Sequence, residues 1–144
     1  MNDPTAGSTG RPRLVFVCVE NSNRSQMAEA FAHMMGGDQI EAYSAGSKPS
    51  GKVNPKAIAA MEELGYDLSR HRSKSLEELP AGPFTAVISM GCGEACPQLA
   101  AQIREDWQIP DPKNLPPEEF AKVRDMIRDR VRGLLQRLGV RCEG

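Results

Sequence analysis

Long apolar runs are missing from this sequence. The longest, residues 14–19, spans six positions, against the roughly 20 that a membrane-crossing helix requires. No membrane span is therefore expected. Residues 1–12 are polar and hold no apolar stretch of the kind that centres a secretion signal, so they read as a flexible tail. Histidine is scarce, with two in the chain, too few for most metal frameworks. An excess of one charge is also lacking, because 18 lysines and arginines stand against 19 acids. That balance offers nucleic acid or an anionic membrane nothing to recognise. What remains is a chain of 144 residues, enough for one domain with its own core. The expectation is a soluble cytoplasmic monomer whose four cysteines carry the information.

The order of apolar runs and chain breakers predicts an α/β fold. Residues 13–18, Arg-Leu-Val-Phe-Val-Cys, read as a buried strand. A helix over 25–35 follows, with Met27, Phe31 and Met34 at helical spacing and Gly36 and Gly37 as its stop. Residues 40–44 read as a second strand, and 55–64 as a helix that presents Ile58, Met61 and Leu64 before Gly65. A short helix over 75–79 and a third strand over 84–90 come next. A short helix beginning near Cys96 leads into the loop Trp107-Gln-Ile-Pro-Asp-Pro112, where a very short fourth strand is expected. Phe120, Val123, Ile127, Val131, Leu134 and Leu138 mark the last helix. Strands alternating with helices predict three layers, a four-stranded parallel sheet flanked by helices. The expected organisation is a tail over 1–12, one domain over 13–139 and a second tail over 140–144.

Cys18-Val-Glu-Asn-Ser-Asn-Arg24-Ser25 lies between that first strand and helix. A thiol there sits at the carboxyl end of a strand and over a helix N-terminus, where the dipole and free N–H groups favour the thiolate. The same donors, from Glu20, Asn21, Ser22, Asn23 and Ser25, make a cradle for an oxyanion. Arg24 adds a planar fork able to hold two oxygens of a tetrahedral anion. Ser25 can donate to the sulfur, and the Asn21 amide can fix the loop. The plainer alternative is an inert buried cysteine with a solvated arginine beyond it. The full pattern between strand and helix favours a nucleophile beside a bound phosphate or arsenate.

Residues 15–29, Val-Phe-Val-Cys-Val-Glu-Asn-Ser-Asn-Arg-Ser-Gln-Met-Ala-Glu, resemble the Cys-x5-Arg-Ser loop of the low-molecular-weight protein tyrosine phosphatase fold. The Ser25-Gln-Met-Ala-Glu29 continuation is more similar to its arsenate reductase branch. Ser44-Ala-Gly-Ser47, Gly65-Tyr-Asp-Leu-Ser69 and Asp111-Pro112 fall in the family's order, so the likeness covers nearly the whole chain over 14–138. Asn23 departs from it, standing where many members carry a second loop cysteine. The resemblance implies that Asp111 reaches over the anion and protonates the departing oxygen. Taken alone, an aspartate before proline is a common turn residue.

Met90-Gly-Cys92-Gly-Glu-Ala-Cys96-Pro97 separates two enzymes. Phosphatase chemistry needs one cysteine, whereas reducing arsenate takes two electrons, which thiols supply by ending as a disulfide. Thioredoxin-coupled arsenate reductases likewise carry two redox cysteines here, usually further apart. The spacing in this chain resembles the Gly-Cys-Gly-x-x-Cys-Pro form, some of whose members use a small-molecule thiol. Zinc is a weaker reading, since two cysteines without a nearby histidine give half a tetrahedral site. The leading expectation is an arsenate reductase in which Cys18 attacks, Cys92 forms a disulfide with it and Cys96 resolves that bond. Thioredoxin, or glutaredoxin with a low-molecular-weight thiol, would then return the electrons. Phosphate or sulfate would act as substrate mimics. A phosphotyrosine phosphatase using Cys18, Arg24 and Asp111 is the second reading. Against it, neither 47–53 nor Lys113-Asn114 contains an aromatic residue to stack on a phenyl ring. An oxyanion-binding module whose thiols sense oxidation is the third.

The remaining candidates read as structural. His33, His71 and the basic run 70–74 are assigned to the surface, as are Arg124, Arg128, Arg130, Arg132 and Arg137 of the last helix. Cys142 reads as incidental. No tightly bound cofactor is expected beyond the external thiol, although the resemblance implies a potassium ion near Asn21 and Glu29.

Overall fold

The structure, a computed structural model, describes residues 11–90 and 99–141. Cys92, Cys96, the short helix read near Cys96, and Cys142 lie outside the described residues.

Four strands, β1 (Arg13–Cys18), β2 (Glu41–Gly46), β3 (Phe84–Ser89) and β4 (Ala101–Asp106), form one parallel sheet in the order β2-β1-β3-β4. The helices are α1 (Arg24–Gly36), α2 (Pro55–Glu62) and α3 (Pro117–Arg137). The run over 14–18 is apolar throughout because β1 is central and buried on both faces. Leu14, Phe16 and Cys18 face the core shared with α1, α2 and α3. Val15 and Val17 face a thinner layer containing Val87, against which Leu76 and Leu79 pack from around the short 3₁₀ turn Leu76–Glu78. Phe120, Val123, Ile127, Val131 and Leu134 form the buried stripe of α3. Among the described residues no helix is long and apolar enough to cross a membrane.

Two expectations need correction. The fourth strand is not in the 107–112 loop but ahead of it, and it is six residues long. As an edge strand it alternates half-buried and exposed positions, with Gln102, Arg104 and Asp106 outward, so it lacks the apolar signature of β1. Arg124 is buried rather than solvated. Its guanidinium donates to Ala60 O at 2.8 Å and to Glu63 Oε1 at 2.9 Å, which ties α3 to α2. Arg137 also has a partner, in a two-pronged pair with Glu105 on β4.

Strand order positions the site. Successive strands run to one side of β1 as β2 and to the other as β3 and β4, so the strand order reverses between β1 and β3. Open α/β sheets bind ligands outside the carboxyl ends of the strands at such a point. Cys18 is the last residue of β1, in register with Gly46 of β2. A side chain at Gly46 has no room, because its Cβ would stand 2.5 Å from Val19 O and 2.9 Å from Asn21 N. Gly46→Ala should therefore push the 18–24 loop outward and cost about 1–3 kcal/mol. Urea unfolding measures the loss, and an unchanged midpoint would mean that the loop has slack there.

Candidate active site

The loop joining β1 to α1 is built around Asn21, which adopts a left-handed backbone with φ 51°. Asparagine tolerates this conformation better than other side chains except glycine. Its amide then locks the turn. Asn21 Oδ1 accepts from Gln26 Nε2 and from the Lys74 N–H, both at 2.8 Å, and Asn21 O accepts from Gln26 Nε2 at 3.0 Å. The neighbouring carbonyls are also engaged. Val19 O accepts from the Lys48 N–H at 2.8 Å, Ser22 O from the Asn54 N–H at 3.1 Å, and Glu20 O from Ser50 N–H and Ser73 Oγ. In a trans peptide C=O and N–H point opposite ways. Carbonyls held by the 47–54 segment thus turn the loop N–H groups toward the cavity, which suits an anion.

Cys18 is a buried free thiol at the floor of that cavity. Its Sγ lies 2.8 Å from Ser25 Oγ, and Ser25 Oγ in turn accepts from Asn21 Nδ2 at 2.8 Å. With one acceptor site taken by Asn21, the Ser25 hydroxyl can turn its proton toward the sulfur. The chain of donors extends outward. Gln26 Nε2 is spent on Asn21, so Gln26 Oε1 accepts from His71 Nδ1 at 2.9 Å, and Tyr66 OH lies 2.6 Å from His71 Nε2. Burial pushes the His71 imidazole below its usual 6.5, against the opposing pull of Glu29. A neutral ring protonated on Nδ1 makes Tyr66 the donor at the far end.

Arg24, also buried, donates from Nη1 to Ile109 O at 2.9 Å and holds Nη2 3.8 Å from Asp111 Oδ2. One guanidinium thus joins the anion loop to the loop after β4. Asp111 is half exposed at the mouth, and Lys113, two residues on, reaches Glu20 at 3.3 Å. The cavity, ≈ 430 Å³, is lined by Cys18, Val19, Glu20, Ser22, Asn23, Arg24 and Asp111. Asn23 Oδ1, buried in that wall, has no partner among the described residues. A buried sulfur, a loop of backbone N–H groups, a forked cation and a carboxyl group over the opening are the groups that displacement on a tetrahedral oxyanion calls for.

Comparison with known proteins agrees with that geometry. The model of the low molecular weight phosphotyrosine protein phosphatase family matches residues 13–142. The chain belongs to this family. Among its relatives, the glutaredoxin arsenate reductase of Synechocystis sp. is 41% identical over 129 residues, 88% of this chain and 98% of that protein. The arsenate reductase of Staphylococcus aureus strain Newman is 40% identical over 119 residues, 80% of this chain and 89% of that one. A solved structure described as an arsenate reductase in the phosphate binding state superposes with a TM-score of 0.81 at 41% identity, covering 88% of this chain and 98% of that chain.

Within this family member, Cys18, Arg24, Asp111 and the loop residues 20–25 come together as the sequence suggests. His71 does not sit on the surface. It is half-buried, and the basic run around it turns Lys74 inward. Nothing local in the sequence signals this, because Gln26 and His71 meet across 45 positions. The residues implied for a potassium ion do not fit one. Glu29 Oε1 accepts from Ser44 Oγ at 2.6 Å and lies 3.9 Å from Lys74 Nζ, while His33 Nε2 stands 3.0 Å from Glu29 Oε2. Asn21 Oδ1 is filled by its two N–H donors.

Two outcomes follow from the geometry. Arg24→Lys keeps a positive charge but loses the fork and the bond to Ile109, so inorganic phosphate should bind about tenfold more weakly or worse. Calorimetric titration checks this, and native affinity would remove Arg24 as the clamp. The fold also favours neutral His71, whereas the unfolded chain takes up a proton near the ordinary 6.5. That stability is complete above the ordinary value and is lost as pH falls through it. Urea midpoints should therefore drop between about pH 7 and pH 5, with a shallower slope in His71→Gln.

Proposed function

We propose that this protein reduces arsenate to arsenite, with Cys18 as nucleophile and a thiol-to-disulfide cascade as the source of electrons. The observation that carries this reading is the cavity wall, which has no aromatic ring among its described residues. An inorganic oxyanion needs only Arg24, the loop N–H groups and Asp111. An aryl phosphate ester would find no ring to stack against. The arsenate reductases among the relatives support the same choice.

Arsenate enters the cradle with Arg24 and the loop N–H groups on its oxygens. Cys18 Sγ attacks arsenic and forms an S–As bond, while one oxygen takes a proton from Asp111 and leaves as water. Arsenic is still As(V) at this stage. Cys92 thiolate then attacks Cys18 Sγ. The S–As bond breaks with its electron pair left on arsenic, which departs as arsenite, As(III). The two sulfurs have supplied two electrons and are joined as a disulfide. Cys96 displaces Cys18 to give Cys92–Cys96, and thioredoxin, or glutaredoxin with a low-molecular-weight thiol, returns the electron pair. These donors and a cytoplasmic, reducing location belong to the same proposal.

Topology supports the order of steps. β1 and β3 are parallel neighbours, and the Met90 N–H donates to Val17 O at 2.8 Å. The described chain thus leaves β3 beside the residue preceding Cys18, and Cys92 follows Met90 by two residues in the sequence.

Arsenate turnover, measured separately with thioredoxin and with glutaredoxin plus a low-molecular-weight thiol, tests the reading. Cys92→Ser should abolish catalytic reduction. Cys96→Ser should trap a Cys18–Cys92 disulfide after one turnover, visible by mass spectrometry of tryptic peptides. If both variants reduce arsenate at the native rate with every donor, the cascade is wrong and Cys18 works alone. Hydrolysis of a small aryl phosphate without arsenate reduction would assign a phosphatase instead.

A further inference from the structure

We infer that the Lys74 ammonium takes the place of a monovalent cation in this protein, so that Glu29 is neutralised from within the chain and the Cys18 loop is braced without an added ion. The inference goes beyond the arsenate reading and stands whether or not that reading does.

Glu29 lies on α1, about one turn beyond Ser25, with its side chain 13% exposed. A carboxylate so placed needs a compensating charge or several hydrogen bonds. Burial pushes it toward the protonated form. Hydrogen bonds from His33 and Ser44, the His71 ring once protonated at low pH, and the Lys74 charge outweigh that and hold it below the ordinary 4.5. Glu29 is therefore an anion at neutral pH. Around it stand His33 on α1, Ser44 on β2, and His71 and Lys74 on the segment before β3. Of these, only Lys74 brings a full positive charge on a compact, oxygen-seeking head.

The position of that head decides the matter. Lys74 Nζ stands 3.9 Å from Glu29 Oε1 and donates to Arg72 O at 3.2 Å. Ser44 Oγ is bonded to the same Glu29 oxygen. The carboxylate and the main-chain carbonyl that Lys74 Nζ faces are hard oxygens of the kind an alkali cation takes, and the ammonium already occupies the space between them. An ammonium is close to potassium in size and accepts the same oxygens, but it arrives covalently attached. The Lys74 main chain is fixed as well. Its N–H donates to Asn21 Oδ1 and its carbonyl accepts from the Gly46 N–H, both at 2.8 Å. One residue thus pins the left-handed Asn21, closes onto the end of β2 and supplies the counter-charge. A dissolved ion stabilises a protein only in proportion to its occupancy, whereas Lys74 is present at full occupancy in any salt.

Melting temperature in potassium, sodium and choline chloride at equal ionic strength tests the inference. The native chain should melt at the same temperature in all three. Lys74→Ala should melt several degrees lower in choline chloride and be rescued saturably by potassium, which enters the vacated space beside Glu29. Lys74→Met, which keeps the bulk and drops the charge, should be lowered similarly but gain little from potassium. A potassium-specific rise in the native melting temperature would overturn the inference. So would Lys74→Ala that melts like the native chain in choline chloride. The native comparison needs no variant, so it remains decisive even if Lys74→Ala fails to fold.

Discussion

The site depends on holding one residue, Asn21, in a left-handed conformation that its backbone does not choose for itself. A non-glycine residue there carries strain of order 1 kcal/mol or more. The surrounding bonds to its amide and carbonyl over-determine it. Once Asn21 is fixed, the peptide planes on either side of it are fixed, and with them the course of the loop. Ser25 is oriented by the same amide, and Cys18 is hydrogen-bonded to Ser25. The Cys18 sulfur is therefore positioned through Ser25 and Asn21.

Arg24 performs the corresponding task for the opposite wall. An arginine that only bound anion could project freely into the cavity. Here it is 9% exposed and bonded to Ile109 O, so its fork is pre-oriented and less freedom is lost when a ligand arrives. The bond also keeps the loop with Asp111 in step with the loop that holds Cys18. Cys18 and Asp111 come from distant parts of the chain, yet a single planar group reaches from one loop to the other.

The parts of this arrangement legible in the sequence are those encoded locally. Cys18, Arg24 and Ser25 lie on one short strand-to-helix turn, and the apolar run before it and the Met27 and Phe31 spacing after it announce both elements. The α3 stripe is legible for the same reason. β4 was misplaced because an edge strand with Arg104, Glu105 and Asp106 gives no apolar run. The inward turns of His71, Lys74 and Arg124 were not legible at all. Each is a polar residue buried by a partner far away in sequence, and a basic residue reads as solvated until that partner is known. The resemblance supplied Glu29 and Asn21 as cation ligands, but the residue that fills the space, Lys74, lay within a run read as surface.

Hydrolysis and reduction of a bound oxyanion begin with the same step. The 18–24 loop follows β1, its brace comes from the turns before β3, and Asp111 comes from the loop after β4. β3 lies beside β1, and the Met90 N–H donates to Val17 O at 2.8 Å. Attack by sulfur on a tetrahedral oxyanion is common to both reactions, and they part only when the S–P or S–As bond must break. Water completes the first, and a second thiol completes the other. The two chemistries differ in what breaks that bond and not in what forms it.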